Sequence, residues 1–125
     1  MLTGQETVHR YFDLITKKDV DGILDLFTED DPVVYEPFSN EKEGLRGKDA
    51  IESFLKIALM ANAGLKREIK FENGSDYGTT ALVTFERGTT LRGRFTFSFV
   101  KETRESKKKD DDQVRRIKSL RIRFL

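Results

Sequence analysis

The chain has 125 residues and a mass of 14.5 kDa, enough for one domain with a single hydrophobic core. Its 23 basic and 22 acidic residues give a formal net charge of +1, so no overall field attracts nucleic acid or an anionic membrane. The absence of cysteine excludes disulfides, thiolate nucleophiles and Cys-based metal sites, and it is typical of a reducing compartment. With no signal-peptide pattern at the N-terminus, we predict a cytoplasmic single domain over residues 1–125.

Two amphipathic helices are predicted at the start of the chain. A capping-box pattern begins at Thr3, and apolar residues then recur on the face that carries Tyr11, which predicts a helix over residues 4–18. Asp19 is a suitable cap for a second helix, and the acidic turn before Pro32 ends it.

One short strand and a third helix follow. Residues 32–38 are rich in β-forming side chains, and Pro37 limits them to an edge or bulged strand. After a polar loop, apolar residues at spacings of three and four predict a helix from Lys48 to about Ala61. Ala63-Gly64 ends this helix.

In the second half of the chain, apolar and polar residues alternate with a period of two, which is typical of strands with one solvent-exposed face. Turn signals at residues 73–76 and 87–90 and a charged connection at 102–113 separate the strands. The predicted strands begin at Leu65 and cover 77–86, 91–101 and 114–124.

Three helices followed by four antiparallel strands predict an α+β domain in which a curved antiparallel sheet wraps around the N-terminal helices. The space between the sheet and the helices is a cone that is open at one end. Such a cavity is the default ligand site of a small domain.

Other kinds of site are poorly supported. His9 is the only histidine, which excludes catalytic triads and multi-His metal sites, and its position two residues from Tyr11 puts it off that helix face. Residues 44–48 fail the spacing of a phosphate-binding loop, and the acidic runs 29–31 and 110–112 are typical of solvated surface. We therefore predict no metal and no nucleic-acid partner. The basic residues of the last strand can pair across strands with Glu68, Glu72 or Glu86.

Four segments carry a resemblance to a known family: RYF at 10–12, KKDVDGILDLFTEDDPVVYEP at 17–37, the helix start at 47–54 and FTFSF at 95–99. On these segments the chain resembles, over nearly its whole length, the nuclear transport factor two-like superfamily. Within it, the resemblance is to the SnoaL-like and ketosteroid isomerase-like branch. It implies the cone-shaped, cystatin-like version of the α+β fold.

The resemblance also implies a pair of catalytic residues. In ketosteroid isomerases, the tyrosine of an RY pair in the first helix donates a hydrogen bond to the substrate carbonyl, and Tyr11 matches it. Their general base is an aspartate directly before a proline, and Glu36 before Pro37 matches it with one extra methylene. Their second oxyanion donor is an aspartic acid on the aromatic strand, where this chain has Phe95. The implied reaction shifts a proton alpha to a carbonyl and needs no cofactor.

The implied ligand is a small hydrophobic molecule. Its pocket would be lined by Phe54, Phe85, Phe95, Phe97, Phe99, Leu120 and Phe124. Because Phe95 replaces a hydrogen-bond donor, a second interpretation stays open, namely a non-catalytic module that binds an apolar ligand or docks a partner. The resemblance further implies a homodimer packed through the outer face of the sheet.

Overall fold

The computed structural model describes residues 3–38, 42–61, 66–75, 77–103 and 113–125. The helices are α1 (Gly4–Lys17), α2 (Val20–Leu24) and α3 (Lys48–Ala61). The strands are β1 (Val33–Tyr35), β2 (Leu45–Arg46), β3 (Lys66–Gly74), β4 (Gly78–Arg87), β5 (Thr89–Thr103) and β6 (Gln113–Phe124). Within these residues the strands form one six-stranded sheet in the order β2-β1-β6-β5-β4-β3.

The sheet is curved and unclosed, and its inner face packs against the helices. Strands β3 to β6 form an antiparallel meander, as predicted, with register shifts between Phe71 and Asn73 and between Ser98 and Phe99. Buried side chains from the helices and from the inner face of the sheet form a single cluster, the core of the domain. The predicted α+β fold class is confirmed.

Helix α1 begins where its capping box predicts. The Thr3 hydroxyl accepts a hydrogen bond from the Glu6 amide at 3.1 Å, and the Glu6 carboxylate accepts one from the Thr3 amide at 3.0 Å. Gly4 then packs closely on the turn after β3, because a Cβ at this position would lie 2.6 Å from the Ser75 carbonyl oxygen. Only glycine fits at this contact without a shift of the backbone.

Helix α2 is shorter than predicted and ends at Leu24. The residues after it pair with β6 instead of continuing the helix. Phe27 forms a parallel bridge with Ile117, the Thr28 amide donates to the Ile117 carbonyl at 3.0 Å, and the Ile117 amide donates to the Leu26 carbonyl at 2.7 Å. Because these backbone groups are bonded to a strand, they cannot form a helical turn.

Strand β1 is not the edge or bulged strand that Pro37 predicts. It lies between β6, to which it is parallel, and β2, to which it is antiparallel. The hydrogen-bonded ladder ends at Tyr35. Pro37, which has no backbone N–H to donate, lies beyond it. Strand β2 has two residues and lies in a stretch predicted to be a loop.

The predicted pairing between the basic residues of β6 and the glutamates of β3 and β4 is not found among the described residues. Arg116 of β6 is buried and instead donates to the Asp25 and Phe27 carbonyls beyond α2. Glu72 of β3 pairs with Arg94 of β5, at 2.7 Å. Side chains two strands apart meet only when they are long, as in this pair.

Some predictions lie outside the described residues. They are the end of α3 at Ala63-Gly64, the strand start at Leu65 and most of the charged connection, including residues 110–112. In the described part of the chain, no helix is long and apolar enough to cross a bilayer.

Candidate functional site

Tyr11 lies on the buried face of α1, in the middle of the helix. Its side chain is 3% exposed, and its ring centre lies 5.0 Å from that of Phe12 and 5.5 Å from that of Phe97, both in edge contacts. His9 is exposed, as its position off this face predicts, and its ring contacts Phe71 of β3 at 5.2 Å. Helical periodicity therefore brings Tyr11, and not the histidine, into the aromatic interior.

The Tyr11 hydroxyl is a protonated donor. Burial raises the pKa of this phenol above its ordinary value, and the positive charge of Arg67 acts in the opposite direction. No hydrogen bond joins the hydroxyl to any residue that the structure describes. The Tyr11 oxygen is not one of the fully buried side-chain atoms that lack a partner within the described residues, so it keeps some contact with solvent, where an acceptor atom can reach it.

Glu36 lies directly after β1 and is half-buried. One carboxylate oxygen accepts a hydrogen bond from the Phe38 amide at 2.6 Å, which fixes the carboxylate over the turn at Pro37. The preceding Tyr35 turns to the outer face of the sheet, where the Arg121 guanidinium stacks on its ring at 4.2 Å. This orientation of Tyr35 agrees with an inward-facing Glu36, because successive side chains of a strand alternate.

The predicted meeting of Tyr11 and Glu36 in one pocket stays a prediction. Among the described residues, no hydrogen bond, ring contact or charge interaction joins the two side chains.

Four predicted ligand-binding residues form an aromatic wall on β4 and β5, in two ring pairs that the Phe12 ring of α1 connects. The ring centre of Phe95 lies 6.0 Å from that of Phe85 and 5.2 Å from that of Phe12 of α1. Phe97 stacks on Phe99 at 6.3 Å. All four phenylalanines of the wall are buried, so the rings fill the interior by packing against each other and against α1.

The other predicted ligand-binding residues are Leu120, Phe54 and Phe124. Leu120 is buried in the core, whereas Phe54 and Phe124 are partly exposed and pack against it. Phe38, which is 73% exposed, contacts the Phe124 ring at 5.4 Å. These partly exposed rings mark the side on which the aromatic interior approaches solvent. Binding of a ligand by these residues stays a prediction.

Two recesses lie on the outer face of the sheet, which is the face turned away from the helices. The larger has a volume of about 500 Å³ and is lined by Glu68, Lys70, Leu82, Thr84, Glu86, Thr90 and Arg92. The smaller, of about 210 Å³, is lined by Lys66, Arg67, Glu68, Thr84 and Glu86. Neither recess includes Tyr11 or Glu36 in its lining.

Arg67 of β3 is the residue at this site that the sequence interpretation missed. Its Nη1 atom donates to the Phe12 carbonyl at 3.1 Å and to the Thr16 hydroxyl at 3.0 Å, and its guanidinium lies 5.9 Å from the centre of the Phe12 ring. The signal was present, because alternation along β3 puts Arg67 on the same face as Ile69 and Phe71. The positive charge argued against an inner position.

In the described ranges, no group of three or more His, Asp or Glu side chains is placed to hold a metal ion.

Comparison with known proteins gives the family of this chain. The SnoaL-like domain matches residues 8–114, which is most of the chain. The chain belongs to the SnoaL-like domain family. No curated protein matches its sequence.

Solved structures share the fold of this SnoaL-like domain at low sequence identity. A SnoaL-like protein of unknown function from Burkholderia thailandensis is 18% identical, with a TM-score of 0.71 over 97% of this chain and 92% of that one. SalBIII, described as an epoxide hydrolase/cyclase-like enzyme in pyran ring formation in the polyether salinomycin, is 18% identical, with a TM-score of 0.69 over 97% and 89%. An NTF2-like protein of unknown function from Pseudomonas putida is 12% identical, with a TM-score of 0.66 over 94% and 81%. The fold of this SnoaL-like domain is therefore one that an NTF2-like protein shares.

The substitution Tyr11→Phe should leave the stability of this SnoaL-like domain unchanged or raise it by up to about 1 kcal/mol. It removes a hydroxyl that makes no hydrogen bond to a described residue, and it keeps the ring that packs on Phe12 and Phe97. Urea unfolding of both proteins measures the difference. A loss of more than about 1 kcal/mol would show that the hydroxyl has a structural partner.

Proposed function

We propose that this SnoaL-like domain is a cofactor-independent enzyme of the isomerase or cyclase type. It acts on a small hydrophobic molecule and moves a proton alpha to a carbonyl. Tyr11 donates a hydrogen bond to the carbonyl oxygen, and Glu36 is the general base.

The single observation that supports this proposal most is the Tyr11 hydroxyl. It is a protonated donor on a ring that packs among other rings, and it makes no hydrogen bond to a described residue. A donor in apolar surroundings stabilises an oxygen on which negative charge develops more strongly than the same donor does in water. A carbonyl that becomes an enolate is such an oxygen.

In the proposed reaction, Glu36 removes a proton from the carbon next to the carbonyl. The electron pair of the broken C–H bond forms the enolate, and the Tyr11 hydroxyl stabilises its oxygen. Where the substrate is a β,γ-unsaturated ketone, the electron pair extends over the double bond as a dienolate, and Glu36 returns the proton to the γ carbon, which completes an isomerisation. In the cyclase form, the enolate carbon attacks a second carbonyl of the same molecule, a C–C bond closes the ring, and the proton goes to the new alkoxide. The hydrogen bond from the Phe38 amide keeps the carboxylate in place through these steps.

A structural neighbour supports an enzyme on this fold. SalBIII is described as a cyclase-like enzyme in ring formation, and its chain is covered almost completely by this one. At 18% identity this likeness concerns the fold, so the choice of substrate rests on the residues of this chain.

A second candidate is a non-catalytic module that binds an apolar ligand. It is favoured by Phe95, which is buried against the rings of Phe12 and Phe85 at the position where ketosteroid isomerases have a second donor. An apolar residue there strengthens contact with a hydrophobic ligand and removes one source of enolate stabilisation. Native mass spectrometry of gently purified protein would reveal a retained ligand.

A homodimer through the outer face of the sheet is part of the proposal. This face carries both signs of charge, and the larger recess is lined by two glutamates, one lysine and one arginine. In a two-fold dimer the face packs against itself, so the carboxylates of one copy can meet the basic groups of the other.

The proposal is tested by proton exchange alpha to the carbonyl of a ketosteroid, or by its isomerisation, with the wild type, Tyr11→Phe and Glu36→Gln. Tyr11→Phe should lower the rate by about 10² to 10³-fold, because one preorganised donor is lost. Equal rates in all three proteins would remove the enzyme proposal. Retention of a hydrophobic ligand by a protein with no exchange activity would favour the binding module.

A further inference from the structure

Arg67 places a positive charge on the inner side of the sheet. Strand β3 alternates between exposed residues and partly buried ones, and Arg67 belongs to the partly buried set. Its partner in the β3–β4 ladder is Phe85, a member of the aromatic wall. The guanidinium also faces the Phe12 ring of α1. The cation is therefore built into the same interior as Tyr11.

No carboxylate neutralises this cation within the residues that the structure describes. Its two hydrogen bonds go to neutral acceptors on α1, a carbonyl and a hydroxyl. The Nε atom is buried and has no hydrogen-bond partner among the described residues. Burial lowers the pKa of the Arg67 guanidinium from its ordinary value, which reflects the cost of a charge removed from water. The guanidinium is partly buried and has no anionic partner within the described residues, so an anion that reaches it would gain a charge-assisted hydrogen bond.

We propose that Arg67 binds an anionic group of the ligand, and that the ligand of this domain is a small hydrophobic acid with a carboxylate near its carbonyl. The proposal rests on the proposed function in placing the ligand against Tyr11. The guanidinium donates to the carboxylate in a charge-assisted hydrogen bond through N–H groups that are not bonded to α1, while Nη1 keeps its bonds to α1. A carboxylate so held directs the neighbouring carbonyl towards Tyr11, so Arg67 positions the ligand while the carboxylate neutralises its charge.

The test compares two probes of the same shape by isothermal titration calorimetry at neutral pH. The probes are 2-naphthylacetate, a hydrophobic carboxylate, and 2-naphthylacetamide, its neutral amide. The wild type should bind the carboxylate about 10- to 100-fold more tightly, the range expected for one hydrogen bond between charged groups. Arg67→Met should reduce carboxylate binding to the level of the amide and leave amide binding unchanged.

Arg94→Met is the matched control, because Arg94 is an outer-face arginine that already pairs with Glu72. It should not change the affinity of either probe. Equal binding of both probes by the wild type, or binding of neither, would overturn the proposal without any variant. An equal loss of both probes in Arg67→Met would assign Arg67 a purely structural role and also overturn it. If Arg67→Met fails to fold, Arg67→Lys replaces it, and carboxylate preference in that variant should be weakened but retained.

These measurements separate the two proposals. A carboxylate preference in a protein that catalyses no proton exchange would contradict the enzyme and support Arg67 as an anion-binding residue. Proton exchange that depends on Tyr11 and Glu36, in a protein with no carboxylate preference, would support the enzyme and overturn the role of Arg67.

Discussion

Glu36→Gln should lower the rate of proton exchange by about 10² to 10⁴-fold, the range that a positioned general base contributes. The amide has nearly the shape of the carboxylate, and its oxygen can still accept the hydrogen bond from the Phe38 amide. The turn at Pro37 should therefore keep its structure while the base is lost. The rate is measured by the exchange of alpha protons for deuterium, followed by nuclear magnetic resonance.

Glu43→Gln is the control for this variant, because Glu43 is an exposed glutamate in the loop before β2. Its exchange rate should equal that of the wild type. Glu36→Asp keeps the acid but withdraws it by one methylene, so we expect an intermediate rate, within about 10²-fold of the wild type. A rate for Glu36→Gln within a factor of two or three of the wild type, on the order of experimental scatter, would assign the proton transfer to another group.

Phe97→Ala should lower the free energy of unfolding by about 3 to 5 kcal/mol. Phe97 is 0% exposed and lies on β5, between β4 and β6. Its ring contacts Tyr11 and stacks on Phe99, so truncation removes packing from both α1 and the aromatic wall. Urea unfolding measures the loss. The slope of the unfolding free energy against urea concentration should be the same for both proteins.

Tyr77→Ala is the matched control, because the Tyr77 side chain is 77% exposed and its loss should change stability by less than about 0.5 kcal/mol. A loss of less than about 1 kcal/mol for Phe97→Ala would contradict a closely packed interior. It would indicate that the rings can move apart to admit a ligand without cost.

Local signals predicted α1 and α3 well. The capping box at Thr3 acts within one helical turn, so the observed start of α1 follows from neighbouring residues alone. The early end of α2 and the presence of β2 depend instead on distant partners. Phe27 pairs with Ile117, about ninety positions later in the sequence, and no local pattern reveals such a pairing.

The candidate site was predicted in part for the same reason. Helical periodicity predicted that Tyr11 is buried, and alternation predicted the inward phenylalanines of β5. The distance between Glu36 and Tyr11 depends on how β1 is placed relative to α1. Neither the helical nor the strand periodicity carries information on that placement. Arg67 was missed because an arginine in an alternating strand is usually on the wet face, and only its hydrogen bonds to Phe12 and Thr16 show otherwise.

The close packing of Gly4 has a consequence for how a ligand reaches the interior. α1 is held at its first turn by the contact of Gly4 with the turn after β3, and near its last turn by the bonds from Arg67. Tyr11 lies between these two anchors, so it forms part of a fixed wall.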